Sequence, residues 1–458
     1  MTSSELMVPE LVSARAHSAS RIGVAFAPRF FVLLAVGLMW LAPALVDSRF
    51  VYAMVAWDVL VLIAWLTDAL RLPAPARLTV QRAWAEPPAL SVPSRVTLTL
   101  INESATAISA TIVDATPHQL RGSPPSLQID VGPGGGAEVA YPIAPTARGE
   151  IAIGDAYIRY QSGLRIAERW ARAGLAQAIV SYPNLDEARR ESLSVSRSQQ
   201  NEMRRRARTR RGIGRSFESL REYQNGDELR DICWTASARR GKLVTRLYES
   251  ERSQPIWIVI DSGRLMRAQV GETTKLDHAV NAALTLAQVA LGSGDRVGLL
   301  AYGRGIRHAV AAGRGHSHLR DILEHLARVG AEESEADHWL AARRLLTDQK
   351  RRSLVVWLTD VPDVAMTPEV VSAASQLMQR HLVLFVVIGQ PDLQRIAIRK
   401  AANVDEMYET AAAEEVLHRR DLLLARLRSQ GALAFESGVR LSPALVSAYL
   451  EVKLRNRL

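Results

Sequence analysis

Two apolar runs close to the N-terminus constrain this chain more than any other feature: FFVLLAVGLMWLAPALV, from Phe30 to Val46, and FVYAMVAWDVLVLIAWL, from Phe50 to Leu66. Each is roughly seventeen residues long, near the ~17–25 that cross a hydrocarbon core of ~30 Å. Only Asp47, Ser48 and Arg49 separate them, so two spans here make a tight hairpin that returns the chain to the side from which it came. Arg15, Arg21 and Arg29 precede the pair and Arg71, Arg77 and Arg82 follow it, whereas the turn holds only Arg49. The positive-inside rule then puts both termini in the cytosol. A second apolar run and the lack of a small-residue cleavage site between the two argue against a removed signal peptide. A buried helical hairpin of a soluble protein is the alternative. Asp58 sits near the middle of the second run, where an ionised carboxylate costs ~2.5–3.5 kcal/mol on insertion scales. It is expected to face the first helix or a neighbouring subunit.

Beyond residues 1–72, the tail and the two spans, the texture changes. With 458 residues, 48% of them apolar, the chain holds material for at least two cores, since single cores stop growing near ~250–300 residues. Residues 73–182 alternate apolar and polar positions in short runs such as SRVTLTLINES, AISATIVDA and GEIAIGDAYIRYQSG, with SPPS and GPGGG as turns. That pattern predicts a small antiparallel β-sandwich. Residues 183–215 form a basic connector, where Arg204, Arg205, Arg206, Arg208, Arg210, Arg211 and Arg215 supply much of a formal charge of +10. Such a run suits a solvated face or anionic headgroups. No aromatic residues interleave with it, so nucleic acid is not expected as a partner. The single cysteine, Cys233, excludes a disulfide or a Cys-based zinc cluster within this sequence and reads as a buried core residue.

From residue 255 to 458 strand-like runs alternate with helical spacing. PIWIVIDSG, RVGLLAYG, SLVVWLTDV and HLVLFVVIG are apolar runs, IRHAVAAG reads as an antiparallel edge, and ALAFES is a shorter strand. In TKLDHAVNAALTLAQVALGSGD, residues Leu276, Val280, Ala283, Leu284, Ala287 and Leu291 recur at helical intervals. The alternation predicts a mostly parallel sheet covered on both faces, with any site at the carboxyl ends of its strands. Two of those ends carry carboxylates, Asp261 in IVIDSG and Asp360 in WLTDV. This pairing resembles a von Willebrand factor A domain. The resemblance implies a Rossmann-type α/β fold and a divalent ion held by an Asp-x-Ser-x-Ser loop, a threonine and the distant aspartate. DSGRL keeps Asp261 but has Gly263 and Leu265 where the serines belong, and ESEADH offers no threonine, which leaves Ser262 or Asp337 as partial substitutes. Two carboxylates with so few supporting oxygens are expected to bind Mg²⁺ weakly.

The densest stretch lies at 216–254. FESLREYQNGDELRDICWTASARRGKLVTRLYESER, with PIWIVIDSGRLM and TKLDHAVNAAL after it, closely resembles the bacterial family called domain of unknown function 58. The residues in register are Phe217, Glu218, Arg221, Tyr223, Gly226, Asp227, Arg230, Trp234, Ala238, Arg239, Lys242 and Glu249. Cys233 departs from the family, many of whose members have Asp there. The resemblance implies a membrane-anchored protein that works with a MoxR-type AAA+ ATPase and with other membrane, transglutaminase-like or von Willebrand factor A-domain proteins.

Read from its chemistry, the same stretch suits a polar clamp or docking surface. Its Arg forks pair with carboxylates, Gly226 permits a tight turn beside Asp227, and Trp234 and Tyr223 supply anchors. The Trp234 ring is expected to be buried, with Arg239, Arg240 and Lys242 left for an acidic partner. RRGKLVT lacks the first Gly and the Ser or Thr of a phosphate loop. His316, His318 and His325 have metal-like spacing but no fixed acidic partner. The expected architecture is therefore an α/β von Willebrand factor A-like domain preceded by a transmembrane helical hairpin and a small β-sandwich. The expected role is that of a non-enzymatic interaction protein, multi-pass in the inner membrane, with its large C-terminal part in the cytosol. A weak metal-dependent hydrolase or metal-dependent binding module using Asp261 and Asp360 is the alternative.

Overall fold

The computed structural model describes residues 8–19, 23–184, 188, 190, 216–224, 232–249, 253–361, 368–438 and 440–455. Two compact units divide the chain, Met1–Tyr182 and Pro183–Leu458.

Antiparallel pairing organises the first unit. Its strands are β1 (Val12–Ser18), β2 (Val24–Phe26), β3 (Leu78–Trp84), β4 (Ser94–Asn102), β5 (Ile108–Asp114), β6 (Ser126–Val131), β7 (Gly136–Ile143), β8 (Gly149–Ile153), β9 (Ala156–Gln161), β10 (Ala167–Ala173) and β11 (Gln177–Ser181). Nine of them share one sheet in the order β6-β5-β9-β10-β1-β3-β4-β7, with β2 on β10, while β8 and β11 pair apart. β1 joins the two halves, since Val12–Arg15 pairs with β3 and Ala16–Ser18 with β10. The end strands β6 and β7 meet again, so the sheet is nearly closed. Period-two alternation drives this. Along β3, Leu78, Val80, Arg82 and Trp84 are buried and the residues between them are not. Arg82 can occupy that inward row because its charge is matched. Its guanidinium pairs closely with Asp114 and donates to Leu175 O at 2.6 Å and Gly154 O at 2.9 Å, while Tyr141 Oη donates to Asp114 at 2.6 Å. Arg82 thus belongs to the core rather than to the cations flanking a membrane span.

The helices of this unit do not precede the strands. α1 (Pro28–Gly37), a 3₁₀ turn (Leu38–Trp40), α2 (Leu41–Ala44) and α3 (Arg49–Arg71) are inserted between β2 and β3. This corrects the expected architecture: β1 is the first described strand of the unit, the unit is a nearly closed sheet rather than a sandwich, and among the described residues no helical hairpin stands ahead of it. α3 alone among the described helices is long and apolar enough to cross a membrane. The first apolar run is broken into shorter pieces. Pro43 lacks the N–H that a continuous helix would donate to Met39, and its ring crowds that carbonyl. α1 and α3 still pack closely. Trp57 Nε1 donates to Leu33 O at 2.9 Å, and a Cβ at Gly37 would lie 2.7 Å from Trp57 and 2.8 Å from Asp58 Oδ1. Asp58 therefore faces the first helix, where only a glycine admits it.

The second unit is built on a mixed sheet. Its elements are β12 (Ser216–Glu222), α4 (Trp234–Arg240), β13 (Val244–Glu249), β14 (Pro255–Asp261), β15 (Gln269–Val270), β16 (Thr273–Thr274), α5 (Lys275–Gly292), β17 (Arg296–Tyr302), β18 (Ile306–Gly313), α6 (Gly315–Arg328), α7 (His338–Asp348), β19 (Leu354–Thr359), α8 (Pro368–Met378), β20 (Leu382–Ile388), α9 (Pro391–Ala397), α10 (Val404–Ser429), β21 (Leu433–Ser437) and α11 (Leu441–Leu454). The main sheet runs β18-β17-β14-β19-β20-β21, parallel from β17 to β21, with β18 antiparallel at the edge. Every residue of β19 is buried, as a strand covered on both faces requires. Strand order reverses between β14 and β19. In open α/β sheets such a switch point leaves a crevice outside the strand ends, and here it falls at Asp261 and Asp360.

Candidate functional site

Asp261 closes β14 and is 3% exposed. Its Oδ1 accepts from Gly263 N at 2.7 Å and its Oδ2 from Thr359 Oγ1 at 2.6 Å. Burial raises its pKa to about 6, with hydrogen bonds from Thr359 and Gly263 opposing and the charges of Asp360 and Glu332 adding to the rise. Asp360, just past β19, is 4% exposed and held from both sides. Lys275 Nζ donates to its Oδ2 at 2.6 Å and Arg420 to its Oδ1 at 3.0 Å. Arg420 also reaches Glu436 Oε1 at 3.2 Å.

Both cations are delivered by helix geometry. Lys275 is the first residue of α5, whose start is fixed by a capping box in which the Thr274 side chain accepts from Asp277 N and the Asp277 carboxylate from Thr274 N. Arg420 lies on α10 in the stripe of Leu423, Leu424 and Leu427, all buried. Lys275 is 1% and Arg420 3% exposed, so the crevice that commonly receives a ligand contains the chain's own charges.

A divalent ion does not fit these donors. Both Asp360 oxygens already meet a cation, and Asp261 is bonded at both of its own. A serine in place of Gly263 would bring its Cβ within 2.8 Å of Ala336 N and 3.0 Å of Ala336 Cβ. The two partial substitutes are otherwise engaged. Ser262 Oγ donates to Tyr302 O at 2.9 Å, and Asp337 Oδ1 accepts from Leu340 N at 2.8 Å as the cap of α7. Among the described residues no group of three His, Cys, Asp or Glu side chains is placed to hold a metal. His318 turns to Gly313 N and Val297 O, while His325 meets His308 at 3.2 Å. A further buried polar cluster joins Tyr302 Oη to Trp357 Nε1 at 2.6 Å and to His338 Nδ1 at 2.8 Å. Burial lowers the His338 pKa to about 4, so this imidazole is neutral at pH 7.

The densest sequence stretch folds as β12 paired antiparallel with β13, with α4 between them. Gly241, at φ +63°, ends α4 in the left-handed conformation. RRGKLVT is thus a helix C-terminus entering a strand, where the helix dipole disfavours anions. Phe217 and Glu218 lie on β12 and Glu249 on β13; Gly226, Asp227 and Arg230 lie outside the described residues. Tyr223 N donates to Leu243 O at 2.9 Å and Cys233 N to Val244 O at 2.8 Å, which ties both flanks of the segment to the start of β13 and the residue before it. Arg221 donates to Glu222 O at 3.1 Å, and Cys233 is buried. Trp234, expected to be buried, is 66% exposed. It is the first residue of α4, and the hydrogen bonds of this segment run through Cys233 and Ser237 instead. Arg239 and Arg240 are exposed in the last turn of the same helix, and Lys242 reaches Glu222 Oε1 at 3.1 Å across solvent.

The sequence reading missed Lys275, Thr359, Arg420 and Glu436. One signal was present: Arg420 keeps i, i+3, i+4, i+7 register with Leu423, Leu424 and Leu427, which places a cation on the buried stripe of a helix.

Residues 219–407 match the model of a family described as protein of unknown function DUF58. An uncharacterized protein of Mycobacterium tuberculosis is 27% identical over 184 residues, covering 39% of this chain and 56% of that protein. Uncharacterized protein YeaD of Bacillus subtilis is 30% identical over 111 residues, covering 24% of this chain and 25% of its own length. The chain thus spans about half the length of the mycobacterial relative and a quarter of the other. Among solved structures, the conserved hypothetical protein BatB from Bacteroides thetaiotaomicron is similar with a TM-score of 0.29 and 14% identity over 44% of this chain and 100% of that one. Proximal thread matrix protein 1 from the mussel byssus has a TM-score of 0.27 and 11% identity over 43% and 46%. Structural likeness at this level carries no further argument.

Proposed function

For a chain that belongs, through residues 219–407, to the family of unknown function DUF58, we propose a membrane-tethered, non-enzymatic role in protein–protein interaction. One observation carries the reading: the switch-point crevice is filled by Lys275 and Arg420 paired to Asp360. Among the described residues that arrangement leaves no Asp360 oxygen without a cation, which argues against strand-end chemistry as what the second unit offers. What it offers is surface. Trp234 projects from α4 with Arg239 and Arg240 on the same helix and Lys242 in the turn after it, and exposed Trp and Arg are the residue types that anchor interfaces. The partner proposed is a MoxR-type AAA+ ATPase, which an acidic face would orient on these cations. α3 tethers the chain to the inner membrane, with α1 and α2 as its companion and the C-terminal unit in the cytosol.

The test is capture of the ATPase by tagged full-length protein solubilised in mild detergent. Trp234→Ala, and separately Arg240→Glu with Lys242→Glu, should weaken capture while leaving the melting temperature in place, and the charge reversal should matter more at low salt. Undiminished capture by both variants would refute the docking surface. For the tether, a reporter fused after Leu458 should report the cytosol and one placed at Ser48 should not.

A further inference from the structure

We infer that the first unit rests on the bilayer through a collar centred on the β9–β10 turn, residues 162–166, whose partner is the headgroup layer on the side of the β-strands. The inference builds on the membrane reading of α3. From Arg49, Asp68 lies nineteen residues along that helix, which at ~1.5 Å per residue is about 28 Å and close to the ~30 Å of a hydrocarbon core. With the turn before α3 in one headgroup layer, Asp68 is at the other.

At that level the helix is clasped by the β-unit. Asp68, fully buried, accepts from Ser162 Oγ, from Ile166 N at 3.0 Å and from Ala167 N at 2.8 Å. These bonds lock the β9–β10 turn to the last turn of α3. Arg29 donates to Leu164 O at 3.3 Å and Thr106 Oγ1 to Arg71 O at 3.3 Å, so α1, α3 and the strand ends meet in one ring.

The ring turns carbon and charge outward together. Leu164 is 47% and Leu70 75% exposed, and Arg29, Arg71 and Arg165 are exposed beside them. Just above, Phe26 stacks with Phe30 at 4.3 Å and meets Trp65 at a tilt, 4.5 Å between ring centres, and Trp65 Nε1 donates to Ala25 O at 3.4 Å. An aromatic layer beside exposed leucines and arginines is the composition of a membrane interface: rings and aliphatic carbon meet the acyl boundary while guanidinium groups meet phosphate.

The experiment uses the full chain, with Cys233→Ser, in nanodiscs of phosphatidylcholine and phosphatidylglycerol. A fluorophore is attached at Leu164→Cys, at Val59→Cys in mid-helix, or at Gly122→Cys, which lies past the opposite end of β5 where a side chain meets nothing within 4 Å. Lipids brominated near the headgroup should quench the Leu164 label, lipids brominated near the acyl terminus should quench the Val59 label, and neither should quench the Gly122 label. Quenching at Val59 with a Leu164 label that behaves like Gly122 would overturn the collar while leaving the span intact. An unquenched Val59 label would overturn the membrane reading and the collar with it.

Discussion

Lys275→Met removes the more deeply buried of the two cations that close the crevice. Lys275 Nζ lies 2.6 Å from Asp360 Oδ2, and the two side chains are 1% and 4% exposed. Methionine keeps the length of the side chain and removes the charge. Breaking a buried ion pair from one side costs ~3–5 kcal/mol, because the remaining charge stays in a low-dielectric site. Arg420 still holds the other Asp360 oxygen at 3.0 Å, so the cost should fall near the lower bound, about 3 kcal/mol, equivalent to a drop in melting temperature on the order of 5–10 °C for a unit of this size. Scanning calorimetry of the full chain in detergent measures it, with hydrogen exchange of β14 and β19 identifying which transition moves. A double-mutant cycle with Asp360→Asn should return a coupling of ~2–3 kcal/mol, because each single change removes the same contact. A Lys275→Met protein within about 0.5 kcal/mol of native stability, or strictly additive costs, would refute the claim that this pair closes the site.

Other outcomes follow from the same geometry. Asp261 has its pKa raised from 3.8 to about 6, so the folded chain holds that proton more tightly; its contribution to stability is full below about pH 4 and is lost as pH rises through about 6, by up to ~3 kcal/mol. His338, lowered to about 4, acts in the opposite direction over the same window, so the readout is a difference: Asp261→Asn should gain on native protein between pH 4 and 7 in urea titrations, and parallel curves would contradict this. Trp234→Ala should leave stability within about 0.5 kcal/mol, since the ring is 66% exposed; a large loss would mean that the ring is part of a core. Arg82→Met should destabilise the first unit by ~3–5 kcal/mol, because Asp114, buried completely, would lose its cation. A change below 1 kcal/mol in chemical denaturation would argue against that pair as the centre of the β-unit.

The strands of the second unit were legible because strands buried on both faces must be apolar throughout, as PIWIVID, SLVVWLT and HLVLFVVIG are. Asp261 and Asp360 stood out because they interrupt that pattern at its ends. Lys275 did not, since a lysine beside a helix start reads as solvent-facing, and only the paired carboxylate from a distant strand makes its burial tolerable. The first unit was misread for a related reason. Hydropathy sees two runs of equal length, but a 3₁₀ turn at Leu38–Trp40 divides one of them, and β1, placed ahead of both runs, is short and carries Arg15 and His17. Its membership in the sheet depends on partners more than sixty residues away. Burial of Trp234 was expected from residue type alone, whereas exposure is set by where α4 begins.

The proposed role of the second unit as an interaction surface, rather than a metal-dependent site, rests on a strand-end crevice closed by Lys275 and Arg420. Calorimetric titration of full-length native protein with Mg²⁺ tests it most directly, with the Asp261→Asn and Asp360→Asn double variant as reference. With the crevice closed, heats should be indistinguishable between the two proteins and Mg²⁺ should not raise the melting temperature. Stoichiometric binding to native protein, lost in the double variant and accompanied by the stabilisation that a bound ligand must confer, would contradict it.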